Sequence, residues 1–99
     1  MEYKVILTPA ALQDLREIEM YIATDDPSAA GEMRERLLDK ARKLRRLPAR
    51  GGLIRRTPEV RFLVYKSYLV VYSIAKERGV VRILRYWHSA RDIKRLRLP

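Results

Sequence analysis

The segment Arg82-Ile83-Leu84-Arg85-Tyr86-Trp87-His88-Ser89-Ala90-Arg91-Asp92 holds the side chains best placed to do chemistry. His88 is the single histidine, and its type alone has an unperturbed pKa near neutrality, so it is the natural general acid or base. Metal-free cleavage of RNA needs a base for the 2′-hydroxyl, an acid for the leaving oxygen, and cations for the charge on the phosphorane. Glu59 or His88 would serve as base or acid, Arg61 and Arg85 as charge stabilisers, and Tyr86 as a stacking or proton-donating group. A structural reading stands beside the catalytic one. In it His88 ends a strand and holds the Arg91-Asp92 turn, Arg61 snorkels from a strand end and Tyr86 packs. With no cysteine and one histidine, the chain has no disulfide, thiolate zinc site or His-rich cluster, so neither metal nor cofactor is expected.

These residues must be positioned by a small scaffold. Tyr3 to Leu7 is a β-branched and aromatic run that predicts a strand. Thr8-Pro9 and Asp26-Pro27 each place a capping side chain before a proline at the first helical position. Ala11, Leu15, Ile18 and Ile22 then form one apolar stripe, and Ala30, Met33, Leu37, Ala41 and Leu44 a second, in a helix from about Pro27 to Leu47. The short turn between them makes an antiparallel helical hairpin. Past Pro48–Gly52, Val60–Tyr65, Leu69–Ala75 and Val80–Trp87 read as strands joined by hairpin-length turns, with a further short strand near Ile54. Strict alternation puts Ile83, Arg85 and Trp87 on one face and Leu84, Tyr86 and His88 on the other. The order β-α-α-β-β-β makes residues 1–99 one α+β domain, two layers deep, with a helical hairpin on an antiparallel meander. The free face of the sheet must then meet solvent or a partner. The tail from Ser89 to Pro99 reads as a basic helical turn or a mobile end.

Charge is divided along the chain. Residues 1–39 carry four Lys/Arg and nine Asp/Glu, whereas residues 40–99 carry eighteen Lys/Arg and only Glu59, Glu77 and Asp92. So one-signed a surface repels itself unless it meets a polyanion, either nucleic acid or an acidic protein. Arg45, Arg46, Arg55, Arg56 and Arg61 lie in the densest stretch, and arginine favours forked contacts to phosphate or carboxylate. Lysines and arginines near the end of the second helix also suit its dipole, which accounts for part of the cluster without a partner. No apolar run approaches the ~18 residues of a membrane span, and the expectation is a soluble cytoplasmic protein. A basic nucleic-acid-binding domain is one function class that fits.

Taken together, Val5-Ile6-Leu7-Thr8-Pro9-Ala10-Ala11, Tyr21-Ile22, Leu47-Pro48 with Gly51-Gly52, Val60-Arg61, Tyr68 through Ile74, Val81 through Leu84, and His88 with Arg91-Asp92 resemble the RelE/ParE toxin superfamily of type II toxin–antitoxin modules. The His88-x-x-Arg91-Asp92 ending is most similar to the ParE branch, associated with plasmid stabilisation and inhibition of DNA gyrase. The resemblance implies an acidic antitoxin partner, a toxin–antitoxin hetero-oligomer, and a contact surface that includes Arg45, Arg46, Arg55, Arg56, Arg61, Trp87, His88 and Arg91. The RelE-like alternative is a ribosome-dependent mRNA endoribonuclease with Arg61, Arg85 and His88 catalytic. Ser89 stands where some RelE-like members carry a tyrosine.

Overall fold

The computed structural model describes residues 2–54 and 57–99, and the side chains of Thr57 and Pro58 are not described. The elements are β1 (Lys4–Leu7), α1 (Pro9–Ala23), α2 (Pro27–Arg42), β2 (Gly52–Ile54), β3 (Thr57–Tyr65), β4 (Tyr68–Ala75) and β5 (Val80–His88). The two helices pack on one face of a five-stranded sheet of order β1-β5-β4-β3-β2. This is the expected α+β architecture, with β2 as the extra short strand. All pairings are antiparallel except β1 with β5, which run parallel. The long return through the helical hairpin allows that arrangement.

Both caps form as the sequence dictates. Thr8 Oγ1 accepts the Ala11 amide at 3.2 Å, and Asp26 Oδ1 accepts that of Ala29 at 3.1 Å. Helices of 15 and 16 residues are marginal alone in water, so burial of their stripes holds them. Ala11, Leu15, Leu37, Ala41 and Leu44 meet Val70, Tyr72, Val81, Ile83 and Tyr86 in the main core.

The second helix stops earlier than its periodicity predicts. α2 ends at Arg42, a tight 3₁₀ turn covers Lys43–Arg45, and Leu47 takes a left-handed conformation with φ 51°. Two contacts explain the correction. The Arg45 carbonyl is taken by the Tyr3 amide at 2.8 Å, and Pro48 excludes the right-handed helix at Leu47.

Alternation along β5 also breaks. Val71 pairs with Arg85 while the next residue, Tyr72, pairs with Ile83, so Leu84 is an extra residue in a β-bulge. Ile83 therefore faces the helices with Tyr86, while Leu84 turns to the opposite face with Trp87. The bulge reverses the expected placement of Ile83 and Leu84. It leaves Tyr86 and His88 together on the helix side.

The face turned away from the helices is partly covered by the chain itself. Leu96 and Leu98 pack on Val60, Val71, Leu84 and Trp87, so the tail is a strap laid across the sheet.

Candidate functional site

β5 carries His88 to the end of the sheet. Its ring meets Tyr68 edge to face, with centroids 5.2 Å apart and planes at 83°. Nδ1 accepts the Ala90 amide at 3.0 Å, which leaves Nε2 as the proton-bearing nitrogen of the neutral ring. The His88 carbonyl accepts the Arg91 amide, so the residue does hold the turn that follows. Beside it opens a cleft of ≈ 360 Å³ whose walls include Glu17, Ile18, Tyr21, Tyr68, His88 and Arg91. Burial, and secondarily Tyr21, push the Tyr68 phenol above its ordinary pKa, so it stays a neutral donor. Tyr21 is 78% exposed, an aromatic on the rim that helix periodicity does not single out.

Arg85 sits on the other side of the strand. Its Nε donates to Asp14 Oδ2 at 2.6 Å, Nη2 to Asp14 Oδ1 at 2.9 Å, and Nη1 to the Arg97 carbonyl at 2.7 Å. Asp14 also accepts the Tyr86 amide at 3.0 Å. β1 pairs only as far as Ile83, so that amide has no strand partner on this side, and the carboxylate replaces the missing carbonyl. The Asp14 hydrogen bonds hold the Arg85 guanidinium above its ordinary pKa, against the opposing effect of burial.

Arg61 lies on β3, opposite Tyr72. Its Nη1 donates to the carbonyls of Ala49 at 3.0 Å and Gly51 at 2.8 Å. The buried Tyr72 hydroxyl donates to the Pro48 carbonyl and accepts the Gly51 amide at 3.0 Å. Together they clamp the loop that presents Leu47, which is 76% exposed. Arg61 also borders a concavity of ≈ 560 Å³ with Glu59, Lys76, Glu77 and Arg78.

The three expected catalytic groups are thus dispersed. Arg61 is aligned with Tyr72, and His88 with Tyr68, four residues away along β4. At ~3.3 Å per residue that is ~13 Å along the sheet, besides the two strand spacings of ~5 Å that separate β3 from β5. Arg85 has all three guanidinium nitrogens engaged, on the opposite face. Trp87, expected at a contact surface, is 1% exposed, because the bulge turns it under the strap. Its outward representative is Arg91, whose Cζ stacks 3.9 Å from the indole centroid. Arg45 and Arg46 are exposed and pair with Glu2 at 3.8 and 3.2 Å. Arg55 and Arg56 lie outside the described residues. Among the described residues no group of carboxylates and imidazole is arranged to hold a metal, and no helix is long and apolar enough to cross a membrane.

Residues 5–93 match the family model described as the ParE toxin of the type II toxin–antitoxin system parDE. The chain is 38% identical over 88 residues to Toxin RelE2 of Caulobacter vibrioides, covering 89% of this chain and 97% of that one. Among solved structures it resembles the toxin–antitoxin complex RelBE2 of Mycobacterium tuberculosis, with TM-score 0.70, 26% identity, and coverage of 89% of this chain and 99% of that one. The chromosomal ParDE system of P. aeruginosa gives TM-score 0.74 at 19% identity, covering 88% and 96%, and so shares the fold. With a family match over nearly its whole length, and the helical hairpin on a mixed sheet that its relatives share, the chain belongs to the ParE toxin family of type II toxin–antitoxin systems.

Proposed function

We propose that this toxin acts in the cytoplasm by binding, with DNA gyrase as its target, and that a cognate acidic antitoxin neutralises it. The observation that carries this reading is the engagement of Arg85 by Asp14 and Arg97, with Arg61 and His88 far apart. A ribonuclease needs its acid, base and cations within reach of one phosphodiester. These side chains instead brace a loop, a turn and a strap, which suits a rigid binding module.

The antitoxin surface we infer is the clamped loop. Leu47 and Leu53 stand 76% and 54% exposed, near Arg45, Arg46 and Arg50, a mixture that fits an acidic segment with apolar anchors. The Glu2 pairs with Arg45 and Arg46 are exposed and weak, so an incoming carboxylate can exchange for them. Purified gyrase should lose supercoiling activity when the free toxin is added and regain it with antitoxin. Undiminished supercoiling at large toxin excess would remove gyrase as the target.

The second reading is a ribosome-dependent endoribonuclease, favoured by the likeness to a protein named Toxin RelE2. It predicts message cut in the ribosomal A site, with Arg61→Ala slowing the cut by orders of magnitude. Intact message in a toeprint would dispose of it.

A further inference from the structure

The strap has a second consequence, which depends on which of its side chains point outward. Leu96 and Leu98 are half-buried against the sheet, while Lys94, Arg95 and Arg97 are exposed. The backbone leaves the 3₁₀ turn extended at Leu96 (φ −62°, ψ 123°), so alternation sends leucines inward and arginines outward. An apolar sheet face is thereby converted into a cationic one. Beyond the strap the same face carries Arg82, aligned with Ile6 of β1, and Lys4 two residues before it, both exposed.

Acids are distributed in the opposite sense. Asp14, Glu17 and Glu19 lie on α1, Glu32, Glu35 and Asp39 on α2, and Asp25 and Asp26 between them, while Glu2, just before β1, is paired with Arg45 and Arg46. Glu59 and Glu77 line the Arg61 concavity, whose strand residues face the helices. Among the described residues the sole acid on the strap is Asp92, whose carboxylate is occupied in accepting the Lys94 amide at 3.0 Å. No ion pair involves Lys4, Arg82, Lys94, Arg95 or Arg97 among the described residues.

We infer that this strap-and-sheet face docks the phosphate backbone of duplex DNA directly, through Lys4, Arg82, Lys94, Arg95 and Arg97. An acidic peptide is the other polyanion to consider, but such a segment needs apolar anchor points. On this face the strap has used most of them, and the exposed apolar groups that are left, Ile6, Val64 and Ile93, stand on three different elements: β1, β3 and the strap itself. The exposed apolar residues that would seat a peptide, Leu47 and Leu53, lie on the clamped loop and the neighbouring edge strand. Trp87 is buried and offers no platform for an unstacked base, so the face suits a duplex backbone and not a single strand. Contacts of this kind position a protein on DNA without reading sequence. The interaction holds for the free toxin and does not require gyrase to be its target.

The test is fluorescence anisotropy of the full-length protein on a random-sequence duplex of ~20 base pairs over a salt series. Five neutralised phosphates give a slope of log K against log salt near −4.5, a loss of several hundred-fold between about 50 and 200 mM salt. Lys94→Glu with Arg95→Glu should weaken binding at least tenfold and flatten the slope. Arg16→Glu with Arg36→Glu on the helices changes net charge equally and should leave most of the affinity. Lys94→Gln with Arg95→Gln, a milder pair, should give an intermediate loss, with far-UV circular dichroism unchanged in every variant. Three results overturn the inference: no binding by the parent protein, equal losses from the strap and helix pairs, or an oligoglutamate of matched charge binding as tightly and lost in the same strap variants. The last would give the face to a protein partner. Gyrase supercoiling, read separately, can fail without touching any of these outcomes.

Discussion

Asp14 on α1 and Arg85 on β5, 71 positions apart, form a two-pronged ion pair with hydrogen bonds of 2.6 and 2.9 Å. Asp14 also caps the Tyr86 amide that β1 is too short to reach, and Arg85 passes the connection on to the strap through the Arg97 carbonyl. One carboxylate thus joins helix layer, sheet and tail.

Removing that carboxylate should be severe. The two side chains are 8% and 18% exposed, and Asp14→Ala strands both a guanidinium and an amide. The expected loss is about 3 kcal/mol or more. Asp14→Asn keeps an acceptor for the amide and should cost less. Urea unfolding measures both; a loss below about 1 kcal/mol for the alanine variant would show the pair to be peripheral.

The Tyr72 hydroxyl should govern the loop that presents Leu47. Tyr72→Phe leaves the Pro48 carbonyl and the Gly51 amide without their partner, at about 1–3 kcal/mol. Exchange of the Gly51 amide with solvent should accelerate correspondingly. Gly51→Ala should destabilise as well, since its Cβ would approach the Phe62 carbonyl oxygen to 2.7 Å and collide with the Tyr72 hydroxyl. An unchanged Gly51 exchange rate in Tyr72→Phe would refute the clamp.

Leu47 should separate stability from recognition. An exposed leucine at φ 51° costs about 1 kcal/mol in backbone strain that glycine does not incur. Leu47→Gly should therefore leave thermal stability equal or slightly raised, while weakening capture of the antitoxin. A loss of stability together with unaltered antitoxin affinity would be the opposite pattern, and would remove Leu47 from the contact surface.

Alkaline pH should expose the buried phenols. Burial is the main cause raising the pKa of Tyr86, Tyr72 and Tyr68 above the ordinary 10.0, most strongly for Tyr86, where Arg42 opposes it slightly. Because the folded values lie above the unfolded one, the unfolded chain releases its phenolic protons first. The stability these groups hold is complete below pH 10.0 and is lost as the pH climbs from there through the folded values. The urea midpoint should decline above that point. Tyr86→Phe, though less stable for want of the hydrogen bond to Leu37, should decline less steeply. Parallel declines in the two proteins would show that other groups control the alkaline limb.

Much of the scaffold is legible locally. Thr8-Pro9 and Asp26-Pro27 begin helices because cap and proline act within one turn, and the two apolar stripes name the buried side chains Ala11, Leu15, Leu37, Ala41 and Leu44 correctly. The end of α2 was less readable, since it depends on the Tyr3 amide arriving at the Arg45 carbonyl from 42 positions away. The candidate site was the least legible part. Arg61, Arg85 and His88 are near strand ends in the sequence, but nothing in it fixes the register that sets Arg61 opposite Tyr72 and His88 opposite Tyr68, with β4 between them.

What the sequence determined by itself was therefore the α+β order, the caps, the core-facing stripes and the division of charge, because each follows from neighbours within a turn or a strand. Only the tertiary structure decided the parallel docking of β1, the extra residue at Leu84, the Asp14–Arg85 bond and the strap that turns arginines outward. Those depend on strand register and on which distant groups meet, and a shift of one residue in pairing moves every later side chain to the other face.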